Sequence, residues 1–418
     1  MSPRPRLRSS VQARRHLRGD DVCVVLHRGP AAMKLGEREW RVVRAMDGTR
    51  DAEGIALASG VARAHVAAFV EALERAGFLG EDGGGGDPAA GEPSFARDLP
   101  VLPLPGYRFT CDGRGACCAT FATMAFTPLE AARARAAAPE IEHGGHDPDR
   151  VFTPHAGLDG SLLAVAMRDG ACVYRSDAGC RVHAAAGAEA KPLGCRTYPM
   201  RHVDVGDAIR VAPRPECDCV FASGRDEITD ATRGADLPRA LYVDRLGPVR
   251  MGPETVSAQD FIRWCDARRP EDAAAWCAGT ADAVARDGAR AEGRPGELAS
   301  LHAAARAIAA RAEQLAAVLA DHRGPRDPLR RRVDGLLEAA ARIGEGAPAV
   351  DDERLYLTAT LFGGWLADEP SVELALRERG ARVLLARAFP PGISPHPLGV
   401  VESLARGHGL AAAPSGAL

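Results

Sequence analysis

Residues 172–199 read CVYRSDAGCRVHAAAGAEAKPLGCRTYP, and this stretch decides how the middle of the chain is interpreted. The turn residues 177–179 predict a hairpin that brings Cys172 and Cys180 near each other. Cys195 is expected at the far end of a short helical segment. Thiolates are the preferred ligands of iron–sulfur clusters and structural zinc. The stretch therefore predicts a metal centre built from loops and hairpins.

The surrounding region concentrates the chain's cysteines. Residues 99–223 hold eight of the eleven. All eight are candidate metal ligands: Cys111, Cys117, Cys118, Cys172, Cys180, Cys195, Cys217 and Cys219. Gly113 and Gly115 allow the loop after Cys111 to curl towards the Cys117-Cys118 pair. His183 and His202 are candidate substitute ligands, with an ordinary surface or half-buried histidine as the simpler interpretation.

The remaining cysteines, Cys23, Cys265 and Cys277, stand alone in apolar surroundings and are interpreted as small buried hydrophobic residues.

The spacing of the eight cysteines favours iron over zinc. Structural zinc sites prefer paired C-x₂₋₄-C spacings, whereas these spacings are irregular and include the adjacent pair Cys117-Cys118. We therefore expect an iron–sulfur cluster, of the 4Fe-4S type, with zinc as the alternative. Four thiolates hold one cluster, so eight could hold two clusters or one cluster with four bystanders. Disulfides in an exported protein are a further alternative.

Composition narrows the cellular setting and the partners. The 418 residues are 46% hydrophobic and 26% charged, which is ordinary for a soluble globular protein. A net charge of −3 predicts neither nucleic acid nor an anionic membrane as a partner. No stretch reaches the roughly 20 apolar residues of a membrane span. The basic first twenty residues lack a signal-peptide core and are interpreted as a disordered tail. We expect a cytoplasmic protein, in which thiols stay reduced.

Hydrophobic periodicity and turn residues predict an α+β fold in three parts. Residues 21–80 read as a small strand element followed by three helices, as in a winged-helix domain. Residues 81–98 are a Gly/Pro-rich linker. Residues 99–223 form the cysteine-rich metal-binding domain of short strands and helices. Residues 237–410 are predicted to be entirely helical.

Local signals place individual elements within this frame. Three helices are expected near residues 36–46, around Ile55 up to Gly60, and over residues 62–76. Thr127 and Glu130 form a capping box for a helix that runs to about residue 138. Asp169-Gly170 and Gly206-Asp207 indicate hairpin turns. The C-terminal helices are predicted at residues 257–268, 297–321, 328–343, 352–367 and 371–389.

The cysteine pattern resembles the YkgJ-type cysteine-cluster family, described as a zinc- or iron-chelating domain. The resemblance rests on CDGRGACC at residues 111–118, then Cys172, CRVH at 180–183, Lys191-Pro192 and CRTYP at 195–199. It spans about a quarter of the chain. The family's usual form has a denser run of cysteines at its start. Here only Cys111 precedes the pair, so one ligand of the usual set is missing or replaced.

Two further resemblances suggest what the metal centre serves. The long form, with a helical half such as residues 355–386, resembles the flagellin lysine-N-methylases; this implies S-adenosylmethionine-dependent methylation of protein lysines. Residues 35–56 and 61–79 resemble PqqD-like modules, which capture a peptide by adding it to a sheet edge. A generic winged helix used for packing or dimerisation is the alternative for this part.

Two functions follow as hypotheses. One is an iron–sulfur enzyme that acts on a peptide or protein, with lysine N-methylation as the candidate reaction. The other is a non-catalytic metal-binding or cluster-carrying module whose helical part serves as an interaction surface. No acid–base pair stands at a diagnostic spacing, so the catalytic residues stay unknown. We expect residues 1–80 to bind a partner peptide and residues 95–418 to hold the metal unaided.

Overall fold

The computed structural model shows a mixed α+β fold, in which 53% of the described residues are helical and 19% lie in strands. It describes the following residues: 4–8, 11–18, 21–28, 31–80, 99–107, 109, 118, 125–139, 141, 151–155, 162–169, 171–222, 243–268, 272–323, 328–344, 350 and 352–405. The predicted linker over residues 81–98 lies outside this part of the chain. The coarse fold class agrees with the sequence prediction.

The N-terminal part consists of three antiparallel strands followed by three helices. The strands are β1 (Gln12–Arg18), β2 (Asp21–Arg28) and β3 (Ala31–Leu35). The helices are α1 (Glu37–Ala45), α2 (Ala52–Ser59) and α3 (Arg63–Arg75). They bury one core that includes Trp40, Ile55, Phe69 and Leu73. All three helices were expected from periodicity, and Gly60 ends α2 with a left-handed backbone at φ 68°.

Strand β1 contradicts the expectation of a disordered basic tail. Arg14 and Arg15 are buried on opposite sides of this strand, since successive side chains alternate. Arg14 Nε donates to the Val165 carbonyl at 3.1 Å, and Arg15 pairs with Glu37 at 2.6 Å. The sequence did not predict this strand because its charged residues suggest exposure. Their partners lie far along the chain, and a sequence pattern cannot reveal them.

Strand β1 also joins the N-terminal part to the cysteine region. Its far edge pairs in parallel with β8 (Met167–Arg168), which pairs with β9 (Ala171–Cys172). The sheet order is β3-β2-β1-β8-β9. The proposed N-terminal and cysteine-rich domains, residues 21–80 and 99–223, therefore share a sheet, and their bounds stay a prediction.

The cysteine region contains short strands arranged in small sheets. A three-stranded sheet has the order β5 (Ala125–Phe126), β7 (Leu162–Val165), β6 (Phe152–His155). A four-stranded sheet has the order β14 (Val243–Arg245), β12 (Met200–Asp204), β13 (Ile209–Pro213), β4 (Val101–Pro103). Strands β10 (Arg175–Ser176) and β11 (Gly179–Cys180) form a hairpin. Beyond this region, β15 (Val249–Met251) pairs with β16 (Glu254–Val256).

Four helices belong to the same region. They are α4 (Pro128–Ala137), α5 (Arg181–Ala186), α6 (Leu193–Thr197) and α7 (Asp218–Phe221). The predicted capping box of α4 is present: the Glu130 amide donates to the Thr127 hydroxyl at 3.2 Å, and the Thr127 amide donates to the Glu130 carboxylate at 2.8 Å.

The C-terminal region is largely helical but not entirely so. Strands β14, β15 and β16 precede its helices, which corrects the expectation of helix from residue 237 onwards. The helices are α8 (Ala258–Asp266), α9 (Ala273–Asp287), α10 (His302–Arg323), α11 (Pro328–Arg342), α12 (Glu353–Phe362), α13 (Val372–Arg387) and α14 (Pro397–Ala405). Five of these were expected from periodicity, whereas α9 and α14 were not.

Helix α9 escaped prediction because it is buried on nearly all sides. Its sequence, AAAWCAGTADAVARD, has small residues around the whole helix, so no apolar stripe stands out. Small residues also let α9 pack closely on α13. A Cβ on Gly380 of α13 would lie 2.8 Å from the Cβ of Cys277 in α9.

A buried ionic network ties α12, α13 and α14 together. The Glu402 carboxylate accepts from Arg382 at 3.0 Å, from the Tyr356 hydroxyl at 2.7 Å and from Arg379. Burial is the largest single effect on the pKa of both arginines and lowers it, but Glu402 and Tyr356 together, with Glu378 for Arg382, raise the pKa of both overall. All four side chains are buried, so Arg379 depends on this carboxylate, whereas Arg382 also pairs with Glu378 at 3.4 Å.

Exchanging Glu402 for glutamine is expected to destabilise the fold by about 3–5 kcal/mol, because buried Arg379 loses its paired carboxylate and Arg382 keeps the longer ion pair with Glu378 at 3.4 Å. Denaturant unfolding measures this. Asp334→Asn is the matched control, since it makes the same exchange in the exposed Arg330–Asp334 pair and should cost less than about 1 kcal/mol. Equal losses in the two variants would contradict the assigned role of Glu402.

Within the described residues, no single helix is long and apolar enough to cross a membrane. The bent pair α2 and α3, with 114° between them, passes the same test of length and composition. Both helices bury apolar residues in the N-terminal core.

Candidate metal centre

Six of the eight predicted ligand cysteines lie in the part of the chain that the structure describes, and Cys111 and Cys117 lie outside it. The six separate into two groups. Cys118, Cys172, Cys180 and Cys195 are half-buried. Cys217 and Cys219 are buried in the large core that also holds Cys23, Cys265 and Cys277. No disulfide joins the described cysteines.

Two tight hairpins position Cys172 and Cys180. Asp169 adopts a left-handed backbone at φ 47°, so that Met167 pairs with Cys172 across the β8–β9 hairpin. The β10–β11 hairpin then pairs Arg175 with Cys180, and α5 starts directly after Cys180. The predicted turns are thus confirmed. However, the two cysteines end separate hairpins and do not face each other across a single one.

Helix α6 carries Cys195 and is held by α4. The Glu130 carboxylate, which caps α4 through Oε2, accepts from the Leu193 amide through Oε1 at 2.7 Å. The Thr197 hydroxyl donates to the Leu193 carbonyl at 3.0 Å. Glu130 is itself buried, so this one carboxylate fixes the start of α6 relative to α4. Sequence reasoning identified Glu130 only as a capping residue, because Leu193 lies 63 positions further along the chain.

Two of the half-buried thiols, Cys172 and Cys195, are influenced electrostatically by the other cysteines of the group. Burial raises the pKa of Cys172 to about 12, with Cys118 and Cys180 contributing in the same direction. Burial also raises the pKa of Cys195 well above its ordinary value, with Cys172, Cys118 and Cys180 adding to the shift. Four separate segments of the chain therefore bring their thiols into mutual range.

Two cations lower the pKa of these thiols. Arg14 on β1 lowers the pKa of Cys172, and Lys191 lowers that of Cys195, although burial dominates at both sites. Since burial leaves Cys172 and Cys195 protonated at neutral pH, a metal must displace those protons to bind. Lys191 was noted in the sequence as part of a motif, whereas Arg14 was assigned to the tail.

The second cysteine pair and the two histidines lie elsewhere. Cys217 precedes α7 and Cys219 lies within it, both in the large core. His183 is exposed on α5, and His202 is buried within β12. That these four residues are metal ligands stays a prediction. Across the described ranges, no three cysteine, histidine, aspartate or glutamate side chains are arranged to hold a metal ion.

Comparison of the whole chain with models of known families, with curated proteins and with solved structures found no match in any of the three. The resemblances to the YkgJ-type family, to lysine-N-methylases and to PqqD-like modules therefore stay predictions from the sequence.

Proposed function

We propose that this chain binds one iron–sulfur cluster through Cys118, Cys172, Cys180 and Cys195. The observation that carries the proposal is the convergence of these four thiols, which come from four segments and influence one another electrostatically. Four thiolates are the ligand set of a 4Fe-4S cluster. The irregular sequence spacing of the cysteines also favours iron, because structural zinc sites prefer paired C-x₂₋₄-C spacings.

The donor chemistry fits such a cluster. Each thiolate of a 4Fe-4S cluster binds a different iron atom, so its ligands lie farther apart than those around one ion. The lack of a single-ion arrangement among the described residues therefore does not conflict with the proposal. Four thiolates crowded in a half-buried space repel one another, and the iron atoms supply the compensating charge. When bound, the cluster would supply one-electron chemistry or a structural crosslink.

Two of the other four predicted ligands have described positions, which bear on their roles. Cys217 and Cys219 belong to a different core, and we propose that they are bystanders of this cluster. Cys111 and Cys117 precede Cys118 on the same segment and remain candidate ligands by sequence. Structural zinc, the alternative from the sequence, would need these thiols to lie closer together than they do among the described residues.

Metal content tests the proposal and separates it from zinc. Anaerobically purified protein is expected to be brown, with about four iron and four sulfide per chain. Colourless protein with stoichiometric zinc would show that the chain binds zinc instead of iron. Folded protein without either metal would overturn the proposal altogether.

We further propose that the metal centre serves modification of a peptide or protein, as the resemblance to lysine-N-methylases implies. In this proposal the N-terminal part is a PqqD-like winged-helix module, its β-sheet captures the peptide, and S-adenosylmethionine is the methyl donor. The topology supports this, because the strands of that part continue into the sheet that carries Cys172.

The methylation proposal has a direct assay. The holoprotein is incubated with S-adenosylmethionine and lysine-containing peptides encoded by neighbouring genes, and mass spectrometry detects a methyl gain on lysine. A methyl gain that depends on the cluster supports the enzyme. Peptide binding without methyl transfer would leave a non-catalytic cluster-carrying module.

A further inference from the structure

A cleft of about 600 Å³ lies at the C-terminal end of helix α9. Three segments form its walls: the last turn of α9, the turn between β15 and β16, and residues 288–294. None of the predicted metal ligands lines it. A volume of this order is typical of sites for small molecules.

Close backbone contacts hold the walls of the cleft together. The Gly252 amide, in the β15–β16 turn, donates to the Glu373 carboxylate of α13 at 3.1 Å. A Cβ at Gly252 would lie 2.1 Å from the Val284 carbonyl oxygen, so this turn packs directly on α9. The segment after α9 runs back along the same helix, and the Arg294 amide donates to the Thr280 hydroxyl at 3.2 Å. The cleft is therefore formed by the packed fold itself.

Three arginines line this cleft. Arg286 lies in the last turn of α9, Arg290 in the short 3₁₀ helix Gly288–Arg290, and Arg294 beyond it. All three are exposed, and none of their guanidinium groups forms a hydrogen bond or an ion pair within the described residues. A guanidinium is a rigid fork of donors that matches the oxygens of carboxylates and phosphates.

Three carboxylates line the cleft as well, but two of them interact with neighbouring groups. Glu254 Oε2 accepts from the Ala289 amide at 3.4 Å. Burial lowers the pKa of Arg268, and the Glu292 carboxylate opposes this shift, so Glu292 lies near that guanidinium. Asp287 is the remaining carboxylate. The three arginines are therefore only partly compensated, and the cleft favours an anion.

We propose that this cleft binds a small molecule that carries a diphosphate group. A single carboxylate has oxygens for one guanidinium fork, whereas a diphosphate presents several terminal oxygens and several negative charges close together. The rest of the volume is available to an organic part of the ligand. This inference does not depend on the proposed metal binding, because the cleft contains none of the candidate ligands.

Calorimetric titration of the full-length protein with pyrophosphate and with ADP tests the proposal. The titration is run at about 20 mM salt, where attraction between exposed charges is screened little. Arg286→Gln, Arg290→Gln and Arg294→Gln should each weaken binding about tenfold, because each removes charge-assisted hydrogen bonds. Asp287→Asn should bind about threefold more tightly, because it removes a negative charge beside the ligand.

Arg306→Gln is the matched control. Arg306 is exposed on α10 and likewise forms no ion pair within the described part of the chain, but it does not line the cleft. Its variant should bind both ligands as the wild type does. Equal weakening in all four arginine variants would show non-specific attraction by surface charge and would overturn the site.

The ligands themselves distinguish the remaining outcomes. Tighter binding of ADP than of pyrophosphate would show that the ligand has an organic part, and binding of pyrophosphate alone would assign the site to free diphosphate. Citrate that binds as tightly as pyrophosphate would overturn the choice of a diphosphate. Absence of binding by both pyrophosphate and ADP to the wild type would overturn the proposal, whatever metal the protein contains.

Discussion

Replacing Cys172 or Cys195 by serine is expected to remove nearly all bound iron. Each thiol comes from its own segment, and the electrostatic influence of Cys118 and Cys180 on both indicates a shared centre. Serine is a poor substitute because a hydroxyl does not ionise near neutral pH and lacks the softness of a thiolate. Iron and sulfide per chain after anaerobic purification measure the loss.

Cys265→Ser is the matched control for this series. Cys265 is buried in the large core, and burial raises the pKa of its thiol, so it is interpreted as an inert core residue. Its serine variant should keep the iron of the wild type. Retention of full iron in Cys172→Ser and Cys195→Ser alike would show that the ligand assignment is wrong.

The two cysteines in the large core, Cys217 and Cys219, provide a further test. Cys217→Ser and Cys219→Ser should keep the iron content of the wild type, because both residues lie in the large core and are proposed bystanders. If they lose half of a total of about eight iron atoms per chain, the protein holds two clusters.

Removing strand β1 is expected to abolish metal binding. A chain starting at residue 20 lacks the strand between β2 and β8, so it exposes two unpaired strand edges. The fragment 95–418 lacks β1 as well and should aggregate or purify without iron. This expectation replaces the separability predicted from the sequence, because the sheet β3-β2-β1-β8-β9 crosses the proposed boundary.

Complementation provides the control for this truncation. Co-expression of residues 1–94 with residues 95–418 interrupts only the predicted linker and keeps every strand of the shared sheet. The two fragments should co-purify and regain iron. If the fragment 95–418 alone holds as much iron as the full chain, β1 is not part of the metal centre.

Local signals in the sequence predicted most elements near the site. The capping box at Thr127 and Glu130, the β8–β9 hairpin and a short helix at Cys195 are all present, although Cys195 lies in the middle of that helix and not at its far end. Each depends on residues within a few positions of one another, so the sequence displays it directly.

Contacts between distant segments could not be predicted in this way. The bond from the Leu193 amide to Glu130 spans 63 positions, and the bond from Arg14 to the Val165 carbonyl spans 151. Strand β1 was missed because its charged residues hide the alternation that usually marks a strand. The grouping of Cys118 with Cys172, Cys180 and Cys195, apart from Cys217 and Cys219, likewise arises only from tertiary packing.

X-ray absorption at the iron edge tests the central claim most directly. The account predicts that iron in the anaerobically purified chain has a ligand shell of sulfur alone, with other iron atoms as near neighbours, as in a 4Fe-4S cluster held by four thiolates. A shell of nitrogen and oxygen, isolated iron atoms, or purified protein that contains only zinc would contradict it.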